Sequence, residues 1–280
     1  MKVATPNLTP RVKPIIIEFP QRSEEWRQAR LGNVTGSDGK KTFYNISDTA
    51  KAGVIRNILE VKALSAKIKE TPEFLELWNK DPLELFDEQG ERIPEPKERQ
   101  KYRQEIVAER LSGLSADVDK YVTHDMKWGQ VNEQLAITKY QLKTENIVKP
   151  AFFMLHPKLR AGASPDGMVI DRKTGLLGVI ECKCLRTNNH LYDIIKANKI
   201  PEEYMVQIHM EIWISGRDFC DFIGYDSRVQ DGLDIFIQRV ERDDDYINNV
   251  LEPTIIRFLD DCKRDENYFR MKIREAKNAK

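Results

Sequence analysis

Asp166, Glu181 and Lys183 are the residues of this chain whose types and spacing could do chemistry. Ser164-Pro165-Asp166-Gly167 is followed, after the loop-forming run Asp171-Arg172-Lys173-Thr174-Gly175, by Val179-Ile180-Glu181-Cys182-Lys183. Two β-rich runs flanking a turn that contains Gly175 predict a pair of adjacent strands. Side chains alternate along a strand, so Glu181 and Lys183 share one face with Val179, while Ile180 and Cys182 point into the core. Two carboxylates and an ammonium in one place cost self-energy unless something compensates. A divalent cation does so: Asp166 and Glu181 supply hard oxygen ligands, and Lys183 stands beside the phosphate or water that the metal activates. The competing reading of these three residues alone is a surface hairpin with a solvated Glu181/Lys183 pair, worth only about 0–1 kcal/mol.

Two further stretches must help position such a site. In Ser23-Glu24-Glu25-Trp26-Arg27-Gln28-Ala29-Arg30, Ser23 is a helix N-cap with acidic residues in the first turn. Trp26 and Arg30 then lie four apart on one helical face. Gly32 terminates that helix, and Val34-Thr35-Gly36-Ser37 leads into another near Asp38. The run Tyr204 to Gly216 predicts an apolar helix carrying Gln207. His209, two residues further on, points to a different face and is read as structural or DNA-contacting rather than catalytic. His124, His156 and His190 show no zinc-site spacing.

Pro165-Asp166 with Glu181-Cys182-Lys183 is the pattern of the PD-(D/E)xK nuclease superfamily. Together with the segments 23–37 and 204–216, in that order, it makes the chain resemble the lambda-exonuclease-like, YqaJ-type family of phage recombination nucleases. The resemblance covers about 23–37 and 128–226. It implies a restriction-endonuclease-like α/β core, a mixed central sheet flanked by helices. It implies that Asp166 and Glu181 ligate Mg²⁺ (with Mn²⁺ able to substitute), helped by the main-chain carbonyl of Cys182. Glu133 aligns with an acidic residue that helps bind metal and is the candidate ligand of a second ion. Lys183 would orient or help deprotonate the attacking water. Arg30, Ser37 and Gln207 match a pocket for a terminal 5′-phosphate, where a guanidinium fork and neutral donors suit a doubly charged anion. The implied activity is 5′-to-3′ digestion of double-stranded DNA from phosphorylated ends, leaving 3′ overhangs. The implied partners are DNA ends, further copies of the chain in a ring of three, and a single-strand annealing protein. The implied setting is a bacterial cytoplasm, with the protein encoded by a phage or prophage. Two rivals stand beside this reading. One is a structure- or sequence-specific endonuclease on the same core, which would leave Arg30, Ser37 and Gln207 unexplained. The other is a non-catalytic end-binding scaffold, against which the intact Asp/Glu/Lys set argues.

Composition narrows the alternatives. The chain has 280 residues, a formal net charge of zero and four cysteines. It is long enough for one α/β nuclease domain across 1–280. No apolar run reaches membrane-spanning length, and the first residues lack a signal-peptide core, so no membrane association is expected. Cys182, Cys184, Cys220 and Cys262 are spaced neither as a disulfide framework nor as an iron–sulfur ligand set. Zero net charge is unusual for a protein that coats nucleic acid, but an end-gripping enzyme needs only a local basic channel.

Residues 40–127 predict a mostly helical insertion within that domain. Helical periodicity covers Thr49 to Lys69, with a short helix at Thr71 to Trp78, a loop at Gln89 to Glu95 and a charged helix at Pro96 to Gly113. Such an insertion could extend a DNA surface, wedge a duplex end or contact another subunit; a solvent-facing elaboration has equal standing. Further expectations are a helix at Trp128, strands at Phe219 to Tyr225 and Asp234 to Val240, and a closing helix from Asp243 bent near Pro253.

Overall fold

The fold is given by a computed structural model that describes residues 11–44, 48–80, 84–85, 95–115 and 124–279. In chain order, β1 (Ile15–Ile17), α1 (Glu24–Arg30) and β2 (Val34–Thr35) precede a 3₁₀ turn at Gly36–Thr42. Next come α2 (Asp48–Ile58), α3 (Ala66–Lys69), α4 (Pro72–Asn79), α5 (Lys97–Ser112) and α6 (His124–Thr144). The strands β3 (Ile147–Lys149), β4 (Phe153–Leu155), β5 (Ala161–Ala163), β6 (Gly167–Ile170) and β7 (Leu177–Cys184) follow. The chain closes with α7 (Thr187–Asn189), α8 (Met205–Ser215), β8 (Phe219–Tyr225), β9 (Ile235–Glu241), α9 (Asp244–Tyr246) and α10 (Glu252–Asn278).

Two compact units emerge, Met1–Lys40 with Glu105–Lys280, and Lys41–Gln104. In the first, the described strands form two sheets, ordered β1-β4-β5-β2 and β3-β6-β7-β8-β9. Both are mixed: β2 pairs parallel to β5 and β7 parallel to β8, and the remaining ladders are antiparallel. The five-stranded sheet is covered on one face by α6, whose Ala136, Ile137 and Tyr140 pack on Val169, Ile180, Cys182, Phe219 and Ile223. Helix α8 packs on β7 and β8 and also touches β4 and β5 of the smaller sheet. With apolar neighbours on more than one side, its residues Ile208 to Ser215 are all buried.

The second unit has its own small core of Ile55, Phe74 and Leu85. The helix expected across Thr49 to Lys69 is interrupted here. Helix α2 ends at Ile58, Glu60 adopts a left-handed φ of 51°, and Ser65 caps a separate α3. Thr71 caps α4 with Pro72 in its first turn, and α5 begins just after Pro96. Of the loop read at 89–95, all but Glu95 lies outside the described residues.

At the far end of the chain, Pro253 falls in the first turn of α10, directly after a π turn at Ile247–Leu251. The helix then continues through the polar tail to Asn278.

A polar network centred on Asp221, which pairs with Ile180, ties β8 to β9, to α6 and to the β6–β7 loop. Arg239 donates to both oxygens of Asp221, at 2.7 and 2.9 Å, and to Asp171 at 2.8 Å; the Tyr140 hydroxyl donates to Asp221 at 2.6 Å. Asp171 also accepts the backbone N–H groups of Lys173 and Thr174, closing the β6–β7 loop in which Gly175 takes a φ of 75°. The Thr174 N–H first, and the Arg239 hydrogen bond next, lower the Asp171 carboxyl to about 2 from an ordinary 3.8. A carboxyl lowered in the folded state stabilises fully above its unfolded value and ceases to do so as pH falls through its folded one. Asp171→Asn should therefore cost roughly 1–2 kcal/mol at neutral pH. The melting gap to the parent should close between about pH 4 and pH 2. A gap independent of pH would disprove the charge contribution.

Candidate active site

The β6–β7 ladder brings the two acidic motif residues together. Gly167 pairs with Ile180, and the Asp166 N–H extends the ladder by donating to the Ile180 carbonyl at 3.0 Å. Asp166 thus lies opposite Glu181, and its Oδ2 accepts the Cys182 N–H at 2.7 Å. Only glycine fits next to it: a Cβ on Gly167 would sit 2.4 Å from Val148 Cγ1. Glu181 is 3 % exposed. Its Oε1 accepts from Lys183 Nζ at 2.5 Å and from Gln207 Nε2 at 2.7 Å. Lys183 Nζ also donates to Gln207 Oε1 at 3.2 Å and lies 5.2 Å from the Tyr204 ring centre. These contacts rule out the solvated surface hairpin.

A further acid stands in the same cluster. Glu211 is buried, accepts from Gln207 Nε2 at 3.0 Å through Oε1, and has no hydrogen-bond partner for Oε2 among the described residues. Sequence reasoning overlooked it. The available signal was a charged residue in an apolar helix, four positions after Gln207 and so on the same face. Glu133, on α6, is held by Arg22 Nη2 at 3.1 Å.

Electrostatics follow from this crowding. The Asp166 carboxyl is pushed well above the usual range, chiefly by burial and then by the charges of Glu181 and Glu133. Glu211 is raised in the same way, by burial and then by Glu181. Burial works against the charge on Lys183, yet Glu181 outweighs it and the ammonium is held more firmly than usual. Burial also pushes the Cys184 thiol up to about 12.

Such a cluster suits a hard divalent cation. Burial and the neighbouring carboxyls disfavour the ionised forms of Asp166 and Glu211, a penalty that a cation relieves, and Glu211 Oε2 accepts no hydrogen bond among the described residues. Among the described residues, no three acidic, imidazole or thiol side chains converge tightly enough to hold an ion alone.

The second predicted set divides. The Arg30 guanidinium lies 4.1 Å from the Trp26 ring centre and donates to Thr35 Oγ1 at 3.4 Å. Thr35 Oγ1 is 3.3 Å from Ser37 Oγ, and both hydroxyls reach Asp38 Oδ2. Arg30 and Ser37 therefore meet through Thr35. Gln207 packs against Gly36, with its Cγ 3.7 Å from where a Cβ there would be, but its amide turns to Glu181, Lys183 and Glu211.

The two clusters are physically tied. Trp26 Nε1 donates to Ser164 Oγ at 3.1 Å, and Gln21 Nε2 donates to the Pro165 carbonyl at 3.1 Å. Trp26 thus links the helix of Arg30 to the segment leading into Asp166. Helix α1 is itself fixed where Gly32, at a φ of 65°, donates to Glu109 and accepts from Arg110 Nε at 2.8 Å. His209 is buried against Tyr246, 4.7 Å between ring centres, in keeping with a structural role.

Comparison with known proteins places this arrangement. Residues 89–218 match the YqaJ-like viral recombinase domain. No functionally curated protein sequence matches the chain significantly. Among solved structures, an alkaline exonuclease from Laribacter hongkongensis, LHK-Exo, is 27 % identical with a TM-score of 0.66, over 91 % of this chain and 100 % of that one. Its complex with dAMP is 28 % identical at a TM-score of 0.63, with the same coverage. A phage-related exonuclease from Haemophilus somnus 129PT, 14 % identical with a TM-score of 0.50 over 86 % of this chain and 96 % of that one, shares the fold. Residues 89–218 are thus similar to the YqaJ-like viral recombinase domain, and the chain has the mixed α/β, restriction-endonuclease-like fold of these exonucleases.

Proposed function

We propose that the chain is a divalent-metal-dependent 5′-to-3′ exonuclease acting on double-stranded DNA with 5′-phosphorylated ends. The observation that carries this reading is the Trp26–Ser164 hydrogen bond, which couples the Arg30/Thr35/Ser37 cluster to the Asp166/Glu181/Lys183 cluster. A site that only cuts internally has no need of an anion-binding group at a fixed distance from its carboxylates. The similarity to a protein named an alkaline exonuclease supports the exonuclease part of this reading.

Asp166, Glu181 and the Cys182 carbonyl would hold Mg²⁺ or Mn²⁺, with Glu133 available to a second ion. The metal would supply Lewis acidity toward the scissile phosphate and a water of lowered pKa. The protein supplies the rest. The Cys182 N–H and Gln207 fix the carboxylate oxygens of Asp166 and Glu181. Lys183, paired with Glu181, would donate to the phosphoryl oxygens as charge accumulates. Arg30 and Ser37 would grip the terminal phosphate and so set the register of the cut. Cleavage from the 5′ end leaves a 3′ single strand, suited to an annealing protein, and a ring of copies would keep the enzyme on its track.

The direct test is a time course with Mg²⁺ on linear duplexes bearing 5′-phosphate or 5′-hydroxyl, with a nick-free closed circle alongside. Loss of the phosphorylated strand with the circle intact supports the proposal, whereas cutting of the circle replaces it with an endonuclease. In the same assay Arg30→Ala should reduce the preference for phosphorylated ends by about tenfold, the loss of one charge-assisted anion contact. Equal loss on both ends would remove Arg30 from the phosphate site.

A further inference from the structure

Within the unit 41–104, α2, α3 and α4 surround an open cavity of about 720 Å³ lined by Ala52, Gly53, Arg56, Lys62, Lys69 and Trp78, among others. Its volume falls in the roughly 300–1,000 Å³ range of small-molecule sites. One wall is aromatic: Phe74 and Trp78 stack with ring centres 5.5 Å apart and an interplanar angle of 19°. The cavity extends to Gly53, where an added Cβ would meet nothing within 4 Å. Three cations, Arg56, Lys62 and Lys69, border it, and among the described residues no carboxylate lines it. Among the described residues Lys62 and Lys69 have no hydrogen-bond or ion-pair partner, and Arg56 reaches only Asn57 Oδ1 at 3.3 Å. Phe74 belongs to the core and stacks on Trp78, and Lys51 Nζ lies 5.6 Å from the Trp78 ring centre, so an aromatic ring already held beside a cation meets three further cations with no carboxylate among the described lining residues, an arrangement that an aromatic anion would answer.

We propose that this cavity binds a nucleotide unit of single-stranded nucleic acid, its base against the Phe74/Trp78 wall and its phosphates at Arg56, Lys62 and Lys69. Aromatic faces beside backbone-tracking cations are how proteins hold single strands without reading sequence. An uncharged or acidic peptide would leave the three cations unanswered. The ligand class accords with the DNA substrate proposed above and rests on that reading, while the site lies outside the catalytic machinery.

The test uses the full chain without divalent metal, so that no strand is degraded. Anisotropy measures binding of a fluorescent oligothymidylate, with unlabelled oligothymidylate and thymidine monophosphate as competitors. Gly53→Leu fills the cavity from a helical position that tolerates a side chain, and should weaken binding about tenfold, the effect of losing one base–aromatic stack. Lys62→Ala/Lys69→Ala should weaken it similarly and flatten the log–log salt dependence by about 1.4, from two phosphate contacts on a single strand. Both variants should keep the parent melting temperature and, with Mg²⁺, the parent initial rate on duplex ends. Unchanged affinity and salt slope in both variants would overturn the proposal. Competition by the mononucleotide equal to that of the oligomer, nucleotide for nucleotide, would overturn assignment to a strand. If the parent digests no DNA yet its oligomer binding depends on Gly53 and Lys62/Lys69, the nuclease reading fails and this one stands.

Discussion

Asp166→Asn should reduce hydrolysis of linear duplex DNA by about a thousandfold or more, the several kcal/mol that an anchored metal contributes to the reaction. Binding of duplex ends should change little, because the Arg30/Thr35/Ser37 cluster does not include this residue. The fold should also survive. Asparagine retains an oxygen that accepts the Cys182 N–H, the bond that seats Asp166 at 2.7 Å. In the parent, the carboxyl is buried beside Glu181 and Glu133, which push it well above its usual range. Removing its charge relieves that repulsion, so the variant should melt at or above the parent temperature when no metal is present. Mg²⁺ should raise the melting temperature of the parent more than that of the variant, since an ion that binds only the folded state stabilises by mass action. Retention of more than about a tenth of the parent rate would refute the assigned role of Asp166.

Lys183→Met should lower the rate by about a hundred- to a thousandfold, the effect of deleting one donor aimed at developing negative charge. It should act on stability in the opposite sense to Asp166→Asn. Lys183 is the cation paired with the nearly inaccessible Glu181 at 2.5 Å, and deleting it leaves a buried carboxylate without that charge, with the Gln207 amide still donating to it. Breaking a buried pair from one side costs about 3–5 kcal/mol, so the metal-free variant should melt well below the parent. Divalent metal should then restore more stability to Lys183→Met than to the parent, because it answers the same charge. Differential scanning calorimetry with and without Mg²⁺ measures both effects. A variant that melts like the parent under both conditions would show that Glu181 does not depend on Lys183.

Much of the site was legible because its geometry is local. Alternation along 177–184 places Glu181 and Lys183 on one face, and an Asp-containing loop ending at Gly175 returns the preceding strand beside it. Ser23 capping α1 through the Trp26 N–H is equally local, as is the four-residue spacing of Trp26 and Arg30 that stacks the guanidinium on the indole. The smaller sheet was not legible. Its strands β1, β2, β4 and β5 have three residues or fewer, too short for a period to register, and they pair across large separations such as Ile17 with Phe153. The break after Ile58 escaped because α2 and α3 both carry helix-forming residues, and only the left-handed Glu60 between them marks the end.

The sequence by itself determined the residue types and the local frames: a carboxylate before a glycine, a carboxylate and lysine two apart on a strand, an arginine four beyond a tryptophan. Periodicity and capping act over a few residues, and they do not depend on what packs elsewhere. The tertiary structure decided which frames meet. It turned the Gln207 amide from the Arg30 cluster to Glu181, added Glu211 as a buried neighbour, and joined the two clusters through Trp26 and Ser164. Those contacts span from four to 138 positions along the chain, and apart from the short Gln207–Glu211 step they exist only because α1 and α8 pack on strands that are distant in sequence. The charges that result are properties of that convergence. An isolated aspartate keeps an ordinary carboxyl, and Asp166 departs from it only because folding buries it beside Glu181 and Glu133.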